Sequence, residues 1–395
     1  MNDEESQISL LTAGRDRPYA LGLAAALAAA GKHFDFVGSN EVDGPELHES
    51  PRIHFLNLRG DQSLNAGVLQ KIIRVLAYYG RLIRYAFTAR PRIFHILWNN
   101  KFEMFDRTAL MLWYKLLGKK IVFTAHNVNA RARDGGDSFW NRATLKFQYR
   151  HCDHIFLHTE RMRSQLIADF GVPAAKTTVI PFGLNSTVPD TALTGSAARR
   201  RLGLGAQDKV LLFFGNIAPY KGLEYLVDAF VQMAVRQEDL RLIIAGRPKG
   251  GEADWSAILG KIEASAVRDR MVLKIEFVPD AETEVYFKAA DVLILPYTHV
   301  FQSGVLFLGY NFGLPALAAD VGSLKEEIVE GQTGFVFPPR DVAEIVRAVQ
   351  RYFVSDLYGR RESHRAEIRQ FAQDRYSWSK VARMTAAVYD RLQGN

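Results

Sequence analysis

The feature that most limits the fold of this chain is an alternation of short apolar runs with helical stretches. The runs of the first half are ISLLTAG, HFDFVGS, IHFLNL, IFHILW, KIVFTAH, HIFLHT and TVIPFGLN. Most of them end in glycine or a polar residue, and the Ala-rich run ALGLAAALAAAG after the first is typical of a buried helix. This rhythm predicts strands and helices that alternate in a doubly wound parallel sheet.

A second alternation follows residues 186–200, whose Pro, Thr and Ser content predicts a linker. Its runs KVLLFFGN, RLIIAGR, MVLKIEFV, DVLILPY and LPALAAD predict strands, and GLEYLVDAFVQMA, ADWSAILGKIEASA and EVYFKAA predict helices. We therefore predict an α/β protein with two Rossmann-like domains that face a cleft, residues 1–187 and residues 188–375. Ligands of such sheets bind at the carboxyl ends of the strands, so the residues there are the main candidates for a binding site.

Composition limits the class of protein further. A length of 395 residues suits two domains. The single cysteine, Cys152, excludes an internal disulfide, and no cysteine metal motif is present. The start of the chain is acidic, unlike a signal peptide, and its longest apolar run is too short to span a bilayer, so we expect a cytoplasmic protein.

The formal net charge of +7 favours phosphorylated or anionic partners. The sequence has no zinc-finger or RNA-binding aromatic signature, so we do not expect nucleic acid as a partner. It also has no Asp-x-Asp, HExxH, P-loop or Gly-x-Ser-x-Gly motif. GxGxxG is missing from the first turn between strand and helix, which argues against a dinucleotide-dependent oxidoreductase.

A glycine turn and a lysine stand before a helix in FFGNIAPYKGLEYLVDAF, residues 213–230. Gly215 lets the backbone bend after the strand. Lys221, followed by Gly222, stands where the next helix begins and could reach a phosphate that also accepts hydrogen bonds from helix N-terminal amides. The alternative is a solvated surface lysine at a helix start.

A second candidate for anion binding is the turn Gln302, Ser303, Gly304, which follows the strand DVLILPY and precedes the apolar helix VLFLGYNF. A Ser-Gly turn at a helix start presents free amides and a hydroxyl. The alternative is an ordinary serine N-cap.

Three further residues follow strands where a ligand would lie. His126, in TAHNVNAR, could hydrogen-bond a sugar hydroxyl or act as acid or base, although a structural loop histidine is the alternative. Gly14 could allow close approach of a ligand, with Arg15 and Arg17 adding positive charge. Arg247, in IIAGRPKG, takes the matching position in the second half.

Residues 71–92, KIIRVLAYYGRLIRYAFTARPR, contain six basic residues and no acid. At about 100° per residue, four of the basic residues fall within roughly 140° of a helix circumference: Lys71, Arg74, Arg81 and Arg84. Such a basic, aromatic-rich helix could lie on an anionic membrane, which would place the protein peripherally at the inner face of the cell membrane. The alternative is a helix packed on the sheet with a solvated basic face.

These motifs, in this order, resemble those of a known family. The order is a glycine-containing first turn, then T-A-H-N, V-I-P-F-G, F-G-x-I-x-x-Y-K-G, I-I-A-G-R, A-D-V-L-I-L-P-Y, Q-S-G-V and G-L-P-x-L-A-x-D-V-G-S. It resembles the retaining GT-B glycosyltransferases of family 4 (glycosyl transferases group 1), in a branch with Q-S-G-V. The resemblance spans nearly the whole chain and is more specific in the second half.

The resemblance implies a metal-independent transferase that moves a sugar from a nucleotide donor to an acceptor with retention at the anomeric carbon. It requires no cofactor, and the expected donor is a UDP- or GDP-sugar. The expected acceptor is a glycan or lipid-linked sugar in surface polysaccharide, exopolysaccharide or glycolipid biosynthesis. The donor would bind to the second domain and the acceptor to the first, to which the helix in residues 376–395 would return.

The resemblance also implies roles for individual residues. Lys221 would hold the donor diphosphate, together with amides at Ser303, Gly304 and Val305. His126 would contact the donor sugar, which makes His126 and Lys221 the expected catalytic residues.

Other residues would complete the donor site by the same resemblance. Gly14 would let the first loop approach the diphosphate. Arg247 and Val278 would lie near the base. Gly215 and Asn216 would stand beside the donor, and Gln302 would share the contact to the sugar.

The chain also departs from the family pattern. Two glutamates separated by seven residues are common in the family, but the matching positions are Val300 and Leu308. The usual arginine falls at Asn216. These departures leave two alternatives open: a catalytically degenerate protein that binds nucleotide or a partner, and a sugar-nucleotide epimerase, which would need acidic residues that this loop lacks.

Overall fold

The structure is a computed structural model that describes residues 6–14, 16–63, 67–133, 136–185, 187–249 and 252–394. Arg15, residue 186 of the predicted linker, and residue 395 of the predicted returning segment lie outside the described residues. The chain forms two compact units. The first is Met1–Gly183 with Tyr376–Asn395, and the second is Leu184–Arg375.

The strands are short, mostly buried and rich in branched and aromatic residues. In chain order they are β1 (Ile8–Leu11), β2 (Phe34–Gly38), β3 (Ile53–Asn57), β4 (Ile93–Ile96), β5 (Lys120–Thr124), β6 (His154–Leu157), β7 (Thr177–Val179), β8 (Lys209–Phe214), β9 (Leu240–Ala245), β10 (Met271–Lys274), β11 (Val292–Leu295), β12 (Ala316–Ala319) and β13 (Gly334–Phe337).

Helices fill the segments between the strands. In chain order the described helices are α1 (Arg17–Ala29), α2 (Pro45–Glu49), α3 (Val68–Thr88), α4 (Glu103–Phe105), α5 (Met111–Leu116), α6 (Ala130–Arg133), α7 (Phe139–His151), α8 (Glu160–Phe170), α9 (Gly195–Arg201), α10 (Leu223–Ala234), α11 (Glu252–Glu263), α12 (Asp280–Ala289), α13 (Gly304–Asn311), α14 (Leu324–Glu327), α15 (Val342–Phe353), α16 (Asp356–Gly359), α17 (Arg361–Tyr376) and α18 (Trp378–Gln393). A π-helical turn, Asp106–Leu110, joins α4 to α5.

The first unit contains a seven-stranded parallel sheet in the order β3-β2-β1-β4-β5-β6-β7. The central strand β1 pairs with β2 and β4, with Ile8 opposite Phe34 and Ile93. Its strands are nearly continuous apolar runs because helices cover both faces of a parallel sheet.

The C-terminal helix α18 packs in the core of the first unit. Val381 and Tyr389 of α18 are fully buried in the same apolar cluster as Leu23 of α1. At the helix start, a Cβ on Gly22 would lie 2.2 Å from the Trp378 ring, so glycine is required for this contact. Burial of each large apolar side chain stabilises the fold by about 1.5–3 kcal/mol, which holds α18 against α1.

The second unit contains a six-stranded parallel sheet in the order β10-β9-β8-β11-β12-β13. Together the two sheets confirm the prediction of an α/β chain with two doubly wound, Rossmann-like parallel sheets. The edge strand β13, GFVF, is absent from the predicted strands. It is only four residues long, too short to show a clear hydrophobic periodicity.

The prediction of a linker over residues 186–200 is wrong for its last part. Residues Gly195–Arg201 form α9, and Thr194 caps this helix by accepting a hydrogen bond from the Ala197 amide at 3.2 Å. The alanines and arginines that follow Thr194 are good helix formers. Together with the Thr194 cap they favour a helix, despite the Pro and Thr content of the preceding residues.

In each sheet the strand order changes direction at one point, which lies between β1 and β4 in the first unit and between β8 and β11 in the second. Helices on the two sides of such a point lie on opposite faces of the sheet, so the loops after the two strands separate and leave a crevice. The carboxyl ends of these strands are therefore where a ligand of each unit would bind.

Candidate functional site

In the second unit, Lys221 and Ser303 meet at the crevice between β8 and β11 through a third residue, Tyr297. Lys221 Nζ lies 2.5 Å from the Tyr297 hydroxyl oxygen, which lies 3.2 Å from Ser303 Oγ. The ammonium also lies 4.1 Å from the centre of the Tyr297 ring. Lys221 is only 8% exposed, so it is not the solvated surface lysine of the alternative interpretation, and Ser303 is 4% exposed.

The chemistry of these three groups sets the direction of their hydrogen bonds. A lysine ammonium only donates, so the Tyr297 oxygen accepts from it. Burial raises the pKa of Tyr297, so the phenol keeps its proton near neutral pH and donates it to Ser303. Ser303 Oγ then has its own proton left to donate, and it makes no cap to α13 although it occupies the N-cap position.

A glycine holds Lys221 against Tyr297. Gly222 has φ +63°, and a Cβ there would lie 2.0 Å from the Pro296 carbonyl oxygen. The backbone around Lys221 therefore packs directly on the segment that carries Tyr297, and the Thr298 amide donates to the Tyr220 carbonyl at 2.9 Å. Any side chain at position 222 would separate the two loops.

The start of α13 lies beside the turn after β8. A Cβ on Gly215, which has φ +99°, would lie 3.4 Å from Val305 Cγ2. Gly304 and Val305 contribute amides to the first turn of α13, where the N–H groups have no partner within the helix. The structure thus brings Gly215, Lys221, Ser303, Gly304 and Val305 together at one edge of the second sheet.

Gln302 has an unusual environment. Both its side-chain Nε2 and Oε1 are shielded from solvent, and neither has a hydrogen-bond partner among the described residues. A buried primary amide without partners costs about 1–3 kcal/mol for each unsatisfied group. A bound ligand with a donor and an acceptor would remove this cost.

The ends of β9 and β10 place Arg247 next to an aromatic side chain. The Arg247 guanidinium carbon lies 5.6 Å from the centre of the Phe277 ring, and Phe277 is 63% exposed. Val278 beside it is buried, so only its backbone could reach a ligand. Asn216, after β8, is exposed to solvent.

The positions where the family carries glutamate are apolar and buried. Leu308 is 5% exposed on α13 and Val300 is 7% exposed in the loop before it. Both side chains belong to the core of the second unit, which gives a structural reason for their apolar character. They supply no group for a ribose.

In the first unit, Gly14 follows β1 in a tight turn. It has φ +62°, and a Cβ there would lie 2.4 Å from Gln62 Nε2 and 2.6 Å from Ser39 Oγ. The Gly14 amide donates to Thr12 Oγ1 at 3.1 Å, and its carbonyl accepts from Gln62 Nε2 at 3.2 Å. The packing of Gln62 and Ser39 is thus a second reason for glycine, besides approach of a ligand.

His126 follows β5 and lies within a group of aromatic rings. Its ring stacks on Trp98 at 4.2 Å with an interplanar angle of 3°, and Tyr19 contacts it edge-on at 4.6 Å. His126 Nδ1 lies 3.0 Å from Nε2 of His158, which follows β6. His158 Nδ1 in turn lies 3.3 Å from the Ile180 carbonyl oxygen.

These contacts assign the tautomers of both histidines. Burial lowers the pKa of His158 to about 4 and the pKa of His126 well below its ordinary value, so both are neutral near pH 7. The Ile180 carbonyl only accepts, so His158 Nδ1 donates and His158 Nε2 accepts from His126 Nδ1. His126 Nε2 therefore carries a lone pair, and it has no hydrogen-bond partner among the described residues.

Four of the residues that shape these edges were not among the sequence candidates: Tyr297, Phe277, Trp98 and His158. Tyr297, Trp98 and His158 stand just after β11, β4 and β6, so attention to every polar or aromatic residue after a strand would have found them. Among the described residues, no group of three or more His, Cys, Asp or Glu side chains could hold a metal ion.

Two family models match the chain. Residues 18–188 match Glycosyltransferase Family 4, and residues 208–354 match Glycosyl transferases group 1. D-inositol 3-phosphate glycosyltransferase of Kineococcus radiotolerans is 29% identical over 60% of this chain and 57% of its own length. An uncharacterized glycosyltransferase of Methanocaldococcus jannaschii is 28% identical over 61% of this chain and 60% of its own. The chain thus spans less than two thirds of the length of these relatives.

Solved structures with the same fold cover nearly the whole chain. Sucrose-phosphate synthase of Thermosynechococcus elongatus aligns with a TM-score of 0.77 and 18% identity, over 98% of this chain and 99% of that one. HepE of Anabaena, solved in complex with UDP and glucose, aligns with a TM-score of 0.73 and 17% identity, over 97% and 99%. Two parallel Rossmann-like sheets of this kind define the GT-B class of proteins. With the two model matches, the chain belongs to the GT-B glycosyltransferase superfamily of group 1 and family 4.

Proposed function

We propose that this protein transfers a sugar from a nucleotide-sugar donor to a glycan or lipid-linked sugar acceptor, with retention of the anomeric configuration. The observation that carries the proposal is the chain of contacts from Lys221 through Tyr297 to Ser303 at the carboxyl edge of the second sheet. It supplies a buried cation and a hydroxyl proton beside the amides of α13. These groups suit the diphosphate of a nucleotide sugar.

In the proposed reaction, the bond between the anomeric carbon and the leaving phosphate oxygen breaks, and a bond from the acceptor hydroxyl oxygen forms on the same face. The acceptor proton passes to the leaving phosphate oxygen. Lys221, the Ser303 hydroxyl and the α13 amides stabilise the charge that develops on the diphosphate, which is the largest effect such a site offers. No protein nucleophile takes part, in keeping with Leu308 and Val300 at the glutamate positions.

We propose that His126 accepts a hydrogen bond from a hydroxyl of the donor sugar. Its Nε2 presents a lone pair, and its lowered pKa makes protonation near pH 7 unfavourable, so it is better suited to orient a hydroxyl than to act as a general acid. Gln302 is proposed to contact the sugar through its unpartnered amide.

The base of the donor is proposed to lie near Arg247 and the Val278 backbone, with Gly14, Gly215 and Asn216 beside the phosphates. A UDP- or GDP-sugar is the proposed donor. The Anabaena structure was solved with UDP and glucose, which makes UDP-glucose a rational first compound to try. We further propose that the reaction is independent of metal ions, and that saturating EDTA leaves turnover unchanged.

The protein is proposed to act in surface polysaccharide or glycolipid biosynthesis, on the cytoplasmic side of the membrane. No helix among the described residues is long and apolar enough to cross a bilayer. Helix α3, however, exposes a stripe of apolar side chains: Leu69 (71%), Ile72 (50%), Ile73 (57%) and Leu76 (59%). The same helix also exposes Arg81 and Arg84. A helix with exposed apolar and basic side chains suits the surface of an anionic membrane.

The neighbouring helices extend this apolar surface. Phe87 of α3 stacks on Trp113 of α5 at 6.4 Å, and Tyr79 of α3 stacks on Phe102 at 5.6 Å. Phe87 and Phe102 are 68% and 48% exposed, and Leu116 of α5 is 80% exposed. We propose that this face of the first unit contacts the membrane peripherally.

The test is the thermal stability of the protein with UDP-, GDP-, ADP- and dTDP-sugars, beside Lys221→Ala. A ligand that binds only the folded state raises the melting temperature by mass action. We expect one nucleotide class to raise it, and the rise to vanish in Lys221→Ala. The control is Lys325→Ala, which removes an exposed lysine paired with Asp320 and should keep the rise.

Turnover separates the proposal from a degenerate binder. Transfer of labelled sugar to a membrane extract, with retention shown by NMR of the product, is expected for the wild type and not for Lys221→Ala. Binding of a nucleotide sugar without transfer or donor hydrolysis would contradict the enzymatic proposal. Full turnover in Lys221→Ala would contradict the role of this lysine.

A further inference from the structure

A pocket of about 200 Å³ lies in the first unit, next to the turn that holds Gly14. Residues after β3 and β4 and the N-terminal half of α3 line it. Gln62 links the pocket to the turn, because its side-chain Nε2 donates to the Gly14 carbonyl at 3.2 Å. The pocket therefore lies at the carboxyl edge of the first sheet, the edge where this class of sheet binds ligands.

The lining of the pocket has an excess of positive charge. Four of the lining residues are cationic and one is acidic: Arg59, Lys71, Arg74, Lys101 and Asp61. Asp61 accepts from the Ser63 amide at 2.7 Å through Oδ1 and from Arg74 Nη2 at 3.1 Å through Oδ2. The charged residues that line the pocket thus carry a net positive charge, which favours an anion there.

Arg74 has donor capacity left over. Its Nη1 is shielded from solvent and has no hydrogen-bond partner among the described residues. An unsatisfied guanidinium N–H is costly, because charged groups lose strong hydration when they are shielded. An anion with several oxygens would satisfy it.

Two other residues that line the pocket, Arg59 and Tyr78, are held in place by their contacts. The Arg59 guanidinium carbon lies 5.3 Å from the centre of the Tyr78 ring, and Arg59 Nη1 donates to the Ala13 carbonyl. The Tyr78 hydroxyl donates to Asn100 Oδ1 at 2.6 Å. Burial raises the pKa of Tyr78, so its phenol adds no negative charge near neutral pH.

Helix α3 connects the pocket to the apolar stripe described above. Lys71, Arg74 and Tyr78 line the pocket, whereas Leu69, Ile73 and Leu76 are exposed on the helix. At about 100° per residue, the centres of the two sets lie roughly 165° apart. One helix thus presents a cationic pocket on one side and an apolar surface on the other, so two of the basic residues expected to face a membrane line a pocket instead.

We propose that this pocket binds the phosphoryl group of the acceptor. A phosphoryl group carries three oxygens in a tetrahedral arrangement, which several converging cations match better than they match a planar carboxylate. The acceptor is then phosphorylated, either as a lipid with a phosphate headgroup or as a free phosphate ester. The assignment to an acceptor rests on the proposed function; binding of a phosphoryl group does not.

The first arm of the test uses glycerol 3-phosphate, a free phosphate monoester, with calorimetry on the whole chain. In the double variant Arg74→Gln, Lys101→Gln we expect the Kd to rise about tenfold or more, since two charge-assisted contacts are lost. Arg84→Gln removes an arginine of α3 that does not line the pocket and should change the Kd less than about twofold. Lys221→Ala should also leave it unchanged.

Three results would overturn the proposal: no binding by the wild type, an equal loss in Arg84→Gln and in the double variant, or a loss confined to Lys221→Ala. The first means that the pocket takes no phosphate, the second that only general surface charge acts, and the third that the phosphate binds in the second unit. Circular dichroism and the melting temperature confirm that each variant is folded.

The second arm compares vesicles of phosphatidylcholine with vesicles that also contain phosphatidic acid. A preference for phosphatidic acid that disappears in the double variant supports a lipid phosphate, and binding of glycerol 3-phosphate without this preference supports a free ester. Donor-dependent stabilisation is measured on the same samples. Phosphate binding without any donor binding would contradict the proposed function alone, and donor turnover without phosphate binding would contradict the pocket alone.

Discussion

Lys221 and Tyr297, 76 residues apart in the chain, share a hydrogen bond of 2.5 Å at the point where the second sheet reverses its strand order. Tyr297 stands between the lysine and Ser303 and contacts both, so it holds the ammonium and the serine hydroxyl at one place. A tyrosine with no charge of its own thereby organises the two groups proposed to hold the donor diphosphate. This relationship leads to the first prediction.

Tyr297→Phe should weaken donor binding while the fold persists, because the phenyl ring fills the same space but neither accepts from Lys221 nor donates to Ser303. We expect the Kd for the donor to rise about tenfold. The control is Tyr310→Phe, another buried tyrosine of the second unit, whose hydroxyl donates to the Glu327 carbonyl at 2.9 Å. That variant should lose stability and keep donor affinity, and equal affinities in both variants would refute the role of Tyr297.

His158→Gln should change the tautomer of His126. His158 accepts from His126 Nδ1, so its loss frees this nitrogen and allows the proton to move to Nε2. The ¹⁵N chemical shifts of the His126 ring report this directly, and the KM for the donor should rise. His154→Gln is the control, since His154 is also buried and contacts Thr178 instead. An unchanged His126 spectrum in His158→Gln would show that the tautomer is set elsewhere.

The protein should lose stability in mild acid. Burial lowers the pKa values of His158 and His154 to about 4, that of His95 to about 3, and that of His126 well below its ordinary value. An unfolded histidine has a pKa of about 6.5, so between about pH 6.5 and pH 4 the unfolded chain binds more protons than the folded chain. The free energy of unfolding therefore decreases as the pH is lowered through this range. Above about pH 6.5 the buried histidines make their full contribution to stability.

Asp106 acts in the opposite direction, because burial raises its pKa to about 6 and the folded form then binds the extra proton. The four histidines outweigh Asp106, so the melting temperature should fall as the pH is lowered from about 7 to about 5. His158→Gln removes one of the four histidines and should reduce this fall. A melting temperature that rises over the same range would contradict the assignment.

Polar residues on α3 should weaken binding to membranes. Leu69→Ser with Ile73→Ser removes two side chains that are 71% and 57% exposed, so the fold should persist. We expect less sedimentation with vesicles that contain an anionic lipid. Val235→Ser with Val354→Ser is the matched control, because these exposed valines lie in the second unit. An equal decrease in both double variants would show that no particular face binds the membrane.

The alternation of strands and helices was predictable because it is local. Periods of apolar residues, glycine turns and caps such as Thr159, which accepts from the Met162 amide at 3.1 Å, act over a few residues. The edge strand β13 and helix α9 were missed for the same reason, since each is short and its signal is mixed with loop residues.

The sequence by itself determined the class of fold and the positions where chemistry could occur, because residues just after parallel strands must meet at one edge. It also pointed to Lys221, Ser303, Gln302 and His126. Only the tertiary structure decided which groups stand beside them. Tyr297 lies 76 residues from Lys221, and His158 lies 32 residues from His126. Such pairs depend on the order of strands in the sheet and on how loops pack over it, and neither leaves a local pattern in the sequence.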